Sequence, residues 1–400
     1  MDLRSPYPFW LLRHGIIHSY PSLQDNIKTE VAIIGAGISG ALVAHNLLQA
    51  GFEVAMIDRR HAGMGSTAAS TSLLQYELDT PLHQLAKKVG LYQAVEAYQL
   101  CRQSIHDLEK ICRELPEKDL LHKRPSFQFA SFKKHVPALK EELRLRRDAG
   151  IKVDWLEDYE VKEMFDIEKP GGLLSADGAE ADAYRITHAL LQHGMSNGVR
   201  VYDNTEVISI RHLRKGVELL TADNKRVKAR RLVIACGYES QQYIPKKIQE
   251  LHATFAIVSE PGAVTEFWYK NALIWETAVP YLYLRTTKDR RVLAGGKDVP
   301  FSNPQKRDAI LKTKAKQIEE AVCRLMPSLH IRTDFQWAGT FASTKDGMPY
   351  IGGIPERPHT YFALGFGGNG ITFSVIAARA ICDAIMGKRN RALELFSFKR

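Results

Sequence analysis

An α/β fold of two domains is what this 400-residue sequence predicts, and three observations predict it. Near the N-terminus a short apolar strand runs straight into a turn of regularly spaced glycines and then a helix. Residues 251–299 are the most strand-rich part and have no such pattern. The chain is also too long for one small core, so about two domains are expected.

The first observation is the most informative. Val31, Ala32, Ile33 and Ile34 form an unbroken apolar run, as suits a strand buried on both faces of a parallel sheet. Gly35, Gly37 and Gly40 follow as G-x-G-x-x-G, with Ala36, Ile38 and Ser39 between them, and helical spacing then continues from Ala41 to Gln49 until Gly51. Gly35 permits a tight turn, Gly37 lets a pyrophosphate approach the backbone, and Gly40 lets the helix pack on the strand with its N-terminus toward the phosphates. A second strand, Glu53 to Ile57, ends in Asp58, where a carboxylate can accept hydrogen bonds from an adenosine ribose. Strand, glycines, helix, strand and acid in this order imply a bound dinucleotide. The fingerprint does not choose between NAD and FAD, but Asp58 disfavours the 2'-phosphate of NADP.

Composition narrows the setting. With 45% hydrophobic and 25% charged residues, the chain reads as an ordinary soluble globular protein, and no stretch approaches the ~20 apolar residues of a membrane span. Phe9 to Leu12 is apolar, but Arg13 and His14 break it and no small-residue cleavage site follows, so no signal peptide is expected. Five cysteines, an odd number without C-x-x-C pairing, point to a reducing cytoplasm and to no metal site. The net charge of +10 invites a nucleic-acid reading, yet the basic residues are dispersed, as on a solvated surface.

The remaining elements follow in order. Residues 1–28 are an extension rich in aromatics and proline, expected to pack over the outside of the nucleotide domain. The stretch from Gly63 to Tyr76 is built of small residues and hydroxyls; it lets backbone pass close to a flat cofactor, and Gly65, Ser66 and Thr67 can reach phosphates. Residues 81–115 read as one helix ended by Pro116, Ser126 to Phe132 as a strand, and Lys140 to Arg147 as a charged helix. A helix from Ala183, strands at Val199 to Tyr202 and Val207 to Ile210, and a strand at Arg231 to Ala235 ending in Cys236-Gly237 return to the nucleotide-domain pattern. Alternation places Tyr281, Tyr283 and Arg285 on one face of a strand. The expected boundaries are 29–80, 171–240 and 335–400 for the nucleotide domain, and 81–170 and 241–334 for a discontinuous, antiparallel-sheet substrate domain.

The C-terminal stretch, WAGTFASTKDGMPYIGGIPERPHTYFALGFGGNGITFSVIAARAICDAIMG, brings in a resemblance. Together with the first glycine motif, the Gly63 to Tyr76 loop and the segment around Asp182 and Val207, it resembles the FAD-dependent D-amino-acid oxidase, glycine oxidase and sarcosine oxidase superfamily. The N-terminal YPFW and the GGNG ending look most like the branch that includes gamma-glutamylputrescine oxidoreductase. The resemblance implies a Rossmann-like FAD-binding domain and oxidation of a C–N bond, in which a neutral amine gives a hydride to flavin N5 and water hydrolyses the imine. It also implies that Val207 contacts the adenine side, that Asp346, Gly347 and Met348 line the ribityl and isoalloxazine region, that Leu74 touches the cofactor, and that Gly367, Gly368, Asn369, Gly370, Ile371 and Thr372 bring main chain and a helix N-terminus beneath the flavin. Candidate substrate contacts are Leu74, Tyr76, Phe255, Trp275, Tyr281, Tyr283, Arg285 and Phe341; no protein acid or base is required.

Departures from the family are equally informative. Where glycine oxidase has G-L-R-P, this sequence reads Gly339-Thr340-Phe341-Ala342, so the arginine that would hold a substrate carboxylate is missing unless Arg285 supplies the charge. The flavin-linking cysteine of sarcosine oxidases has no counterpart near Gly339, which implies noncovalent FAD. The position of the oxygen-activating lysine falls on Leu293 or Ala294, so O2 or another electron acceptor stays open. Two other readings are a flavin module acting on tRNA and a flavoprotein electron-transfer subunit with Tyr7, Phe9 and Trp10 at an interface.

Overall fold

The computed structural model describes residues 2–262, 267–364 and 366–400. The apolar run becomes the inner half of the strand Ile27–Ile34, buried from Val31 onward. It lies between two parallel partners, Val54–Ile57 and Arg226–Ile234. Further parallel strands, Arg200–Tyr202 and Thr360–Leu364, extend the sheet on either side, and Tyr350–Gly353 closes one edge antiparallel. The hairpin of Val207–Leu213 and Gly216–Thr221 attaches to the outer half of Arg226–Ile234. The helices Ile38–Gln49, Leu91–Glu114, Ala183–Ser196 and Gly370–Ile385 share one continuous apolar core on this sheet.

A second sheet runs Thr333–Ser343, Glu250–Ser259, Val292–Pro300, Leu282–Thr286, Leu273–Glu276, Leu121–Phe129, Gly172–Ala181 and Leu73–Leu74. Its pairs are antiparallel except Leu273–Glu276 with Leu121–Phe129, so it is mixed. One face packs on the helix Leu311–Leu325 through Phe127, Ile257, Ile274, Leu284, Ile318 and Val322. The other face looks toward the first sheet. The strand Gly172–Ala181 and the strand Thr333–Ser343 hydrogen-bond in this second sheet, so boundaries drawn at 171 and 335 cut across its pairing.

Local chemistry accounts for other departures from the sequence expectation. The long helix expected over 81–115 is two, Leu82–Val89 and Leu91–Glu114, because Gly90 takes φ +93°, outside helical space. The helix Leu311–Leu325 is preceded by a short one, Pro304–Ala309, capped by the Asn303 side chain.

The N-terminal extension is divided between the two sheets. Residues 20–23 lie on the first, with Tyr20 N donating to Asp203 and Leu23 N to Thr205. Residues 3–5 instead pair with the strand Thr333–Ser343, through Ser5 N to Ala338 O and Thr340 N to Leu3 O. Phe9 and Trp10 are buried against Phe335 and Trp337, so they belong to this chain's own core and do not form an exposed interface; of the three aromatics only Tyr7 is exposed. Aromatic rings placed beside an edge strand with other aromatics are removed from water more cheaply inside the chain.

The other end of the chain is tied back as well. Arg400 donates from Nε and Nη2 to Asp346 at 2.6 and 3.2 Å and from Nη2 to Met348 O at 2.7 Å. Burial raises the Asp346 carboxyl, but Arg400 and the Met348 amide more than offset this and leave it below its usual 3.8. Its contribution is therefore full above about pH 4 and is lost as pH falls through that depressed value. Arg400→Ala should cost about 2 kcal/mol at pH 7. Thermal unfolding of both proteins checks this: the difference should shrink as the pH is lowered toward 3.

Candidate active site

A cavity of about 680 Å³ runs between the two sheets. At one end it is floored by the carboxyl edge of the parallel strands: Gly35 follows Ile34, Asp58 follows Ile57, and Ala235, Cys236 and Gly237 follow Ile234. This is where an open parallel sheet leaves a crevice for a ligand. Gly35 has φ +108°, and a Cβ there would lie 2.5 Å from Ala235 O; a Cβ on Gly40 would run into Gly35 O. Gly37 opens onto the cavity, where a Cβ would crowd Thr67 Oγ1 at 2.9 Å.

The small-residue loop closes over this edge. Thr67 Oγ1 accepts a hydrogen bond from Ile38 N at 3.0 Å, and Gly65, Ser66 and Thr67 all line the cavity. Ser66 Oγ is buried without a hydrogen-bond partner among the described residues. Two indoles pin the loop: Trp10 Nε1 donates to Ser70 O and Trp337 Nε1 to Ala69 O.

Asp58 lies at the far end. Its Oδ2 accepts from Ala36 N at 2.7 Å and its Oδ1 from Arg60 N at 2.9 Å, and burial holds its carboxyl above the usual range despite both bonds. Arg59 and Arg60 both pair with Glu239 beside it, and Val207 lines the same end with Thr205 and Glu206.

Toward the second sheet the wall is the turn Gly367–Asn369 and the start of the helix Gly370–Ile385. Asn369 Nδ2 donates to the carbonyls of Gln75 and Glu77, and Gly368 N donates to Asp79 Oδ2 at 2.8 Å. Ser39 and Ser374 join the two glycine-led helices through their hydroxyls, 2.7 Å apart. Ile371 and Thr372 also line the cavity.

The candidate substrate residues divide by face. Trp275 and Tyr283 are cross-strand partners, Tyr281 lies 5.8 Å from Tyr283 ring to ring, and all three line the cavity with Leu74 and Phe341. Phe341 packs 5.3 Å from the His252 ring. Phe255 lines it by its backbone stretch, but its ring is fully buried in the opposite core with Ile257 and Ile318, while Thr254 and Ala256 point the other way.

Three expectations are corrected. Arg285 shares a face with Tyr283 but lies one step farther along; its guanidinium is buried, donating to Ser72 O and Ala181 O at 2.9 and 3.0 Å, and is not on the cavity wall. Tyr76 is turned into the core against Tyr98, because Gln75 and Glu77 on either side of it take the cavity face. Asp346, Gly347 and Met348 stand off the wall, where the Arg400 anchor holds them. Ala36 and Gly40 support the turn from behind.

Sequence reasoning passed over Gln75, Glu77 and Asp79, all of which line the cavity. The signal was present: Gln75-Tyr76-Glu77-Leu78-Asp79 alternates polar and apolar side chains, the mark of an extended segment with one wet face.

With this geometry in place, comparison with known proteins defines the class. Residues 30–384 match the family described as FAD dependent oxidoreductase (DAO), and the chain belongs to that family. It is 25% identical over 397 residues to glycine oxidase of Geobacillus kaustophilus, covering 93% of this chain and 96% of that protein. It is 23% identical over 404 residues to gamma-glutamylputrescine oxidoreductase of Escherichia coli, covering 93% and 87%. A crystal structure of the Geobacillus kaustophilus glycine oxidase superposes with a TM-score of 0.78 at 22% identity, over 93% of this chain and 99% of that one, and so shares the fold. The protein is thus an FAD-dependent oxidoreductase enzyme. The cavity fits that cofactor: it has a glycine cradle that a Cβ would obstruct, an orphaned serine hydroxyl at the turn, and an acid at the end of the second strand.

Two substitutions read out this wall. Gly40→Ala should give a colourless protein, because the added carbon displaces Gly35. Ser66→Ala should keep the fold by circular dichroism and weaken FAD binding about tenfold, the worth of one hydrogen bond to a charged group; titrating apoprotein with FAD measures it.

Proposed function

We propose that this enzyme oxidises the C–N bond of a small amine or N-substituted amino acid. The observation that carries this reading is an aromatic chamber of Trp275, Tyr281, Tyr283 and Phe341 opening beside the glycine turn Gly367–Asn369, within one continuous cavity. Gly35, Gly37, Ser66 and Thr67 would hold the pyrophosphate, Asp58 the ribose, and Gly367, Gly368 and Ile371 the flavin end. FAD, when bound there, supplies the hydride acceptor.

The chain's own groups position and enclose. The aromatic rings exclude water and hold a neutral amine with its α-carbon toward the glycine turn. FAD bound there would supply the acceptor for a hydride from the α-carbon; the nitrogen lone pair would form the iminium, its N–H proton would pass to water, and hydrolysis would give a carbonyl compound and the released amine or ammonia. The two electrons would then pass on to O2 or another acceptor. Gly370, Ile371 and Thr372, at the N-terminus of the helix Gly370–Ile385, line the cavity, and the helix dipole would stabilise negative charge there.

Noncovalent attachment is supported by the cysteines. Cys236 is the one of the five on the cavity wall; it sits beside Asp58 and Glu239 at the adenine end, donates to Ile34 O, and burial pushes its thiol up. All five cysteines are free, which supports a reducing cytoplasm as the setting. Among the described residues no helix is long and apolar enough to cross a membrane.

Acid precipitation of the purified yellow protein should leave its flavin in the supernatant; flavin retained in the pellet would contradict noncovalent binding. Anaerobic mixing with a panel of amines and amino acids should bleach the flavin, and admission of air then separates oxidase from dehydrogenase by the speed of recolouring. A panel in which nothing bleaches the bound flavin would remove the small-amine reading.

A further inference from the structure

The N-terminal segment lies along the edge of the cofactor crevice. Residues 2–5 follow the strand Thr333–Ser343, which ends the second sheet: Ser5 N donates to Ala338 O at 2.9 Å, Thr340 N to Leu3 O at 2.8 Å and Ala338 N to Ser5 Oγ at 2.9 Å. Arg307 Nη1 adds a bond to Asp2 O at 3.1 Å. On the other side Arg4 Nε donates to Met64 O at 2.7 Å, in the small-residue loop that closes over the parallel strands. One short segment thus joins both sides of the crevice, and Leu3, 3% exposed, is part of the cavity lining.

The parts of this extension are held with unequal firmness. Phe9 and Trp10 are packed with Phe335 and Trp337, and Trp10 Nε1 bonds Ser70 O, so they form a fixed post at the far end of the same loop. Exposing two such rings to water costs far more than parting the few bonds of residues 2–5. Between the two lie Pro6 and Pro8, whose rings fix φ and stiffen the connection, and the exposed Tyr7. Arg4 Nη1 donates to Ser5 O and Pro6 O, so its guanidinium travels with the segment that carries it.

Segment and loop bear on the cofactor together. Gly65, Ser66 and Thr67 follow Met64 directly and line the cavity, and Thr67 Oγ1 takes the amide of Ile38 at the start of the glycine-led helix. Parting Met64 from the strand widens the crevice at the residues assigned to the pyrophosphate. A cofactor enclosed between two sheets has to pass a seam of this kind to enter or leave.

We infer that residues 2–5 are a clasp across the cofactor crevice, and that FAD enters and leaves between the loop 63–70 and the strand Thr333–Ser343 only when this clasp releases. Arg4 is the positioning residue that shuts it, and Trp10 is the post that stays. The clasp sets the rate of cofactor exchange and takes no part in the oxidation. It rests on the assignment of the cavity to FAD and is independent of which amine is oxidised.

The test measures FAD exchange and thermal unfolding in wild type, Arg4→Met, Arg4→Met with Ser5→Ala, and Arg400→Ala. Release is followed by the return of free-flavin fluorescence after dilution of the loaded protein, and uptake by its quenching when apoprotein is mixed with FAD. Arg4→Met keeps the side chain's length and removes its donors. Release should be about fivefold faster in Arg4→Met and about twentyfold faster in the double variant, the worth of one hydrogen bond for each side chain. Uptake should accelerate as well, so that the dissociation constant changes less than either rate. Arg400→Ala, which loosens the other end of the chain, should lower the unfolding temperature and leave release unchanged. Release at the wild-type rate in both clasp variants overturns the inference. So does faster release with unchanged uptake, which makes Arg4 a static support, and so does equal acceleration in Arg400→Ala, which assigns release to global stability. If the double variant fails to fold, Arg4→Met alone decides by the same criteria.

Discussion

The constraint on which the rest depends is the contact between the turn after Ile34 and the end of the neighbouring strand. Gly35 comes so near Ala235 that no side chain fits, and Gly40 brings the helix Ile38–Gln49 down onto that turn. Because the strands on both sides are parallel, their carboxyl ends open at one edge, and every element that follows one of them delivers a residue to the same crevice. Asp58, Cys236 and the small-residue loop arrive there for this reason.

The second sheet is attached to that crevice by a small number of polar ties. Asn369 reaches back to the carbonyls of Gln75 and Glu77, Gly368 to Asp79, and the two indoles to Ser70 and Ala69. These bonds fix the segment 69–79, which runs from the strand Thr333–Ser343 to the turn Gly367–Asn369. The aromatic chamber and the cofactor crevice thus share a wall made by one stretch of chain. Buried polar ties of this kind are expensive to break and hold relative positions closely.

That shared wall also sets the chemistry available. The face of the second sheet that looks inward carries Trp275, Tyr281 and Tyr283, while the alternate residues, including Phe255, make the core on the helix Leu311–Leu325. Arg285 continues the inward row but meets Ser72 and Ala181 first, so its charge stabilises backbone and leaves the chamber without a guanidinium.

The sequence alone determined the nucleotide half. Glycine spacing, the buried strand and the acid after the second strand are local patterns, dictated by steric limits on neighbouring residues, and Gly35, Gly37, Asp58, Gly65, Ser66 and Thr67 line the cavity. The period-two row at Tyr281 and Tyr283 was legible for the same reason, whereas the GGNG turn was read through the family resemblance. Only the tertiary structure decided which partner each side chain meets. Tyr76 and Glu77 exchange faces by one residue, Asp346 is claimed by Arg400 from the chain's end, and Phe9 and Trp10 find Trp337 across more than 300 residues. Such outcomes depend on sheet pairing between distant segments, and no short window of sequence contains that pairing.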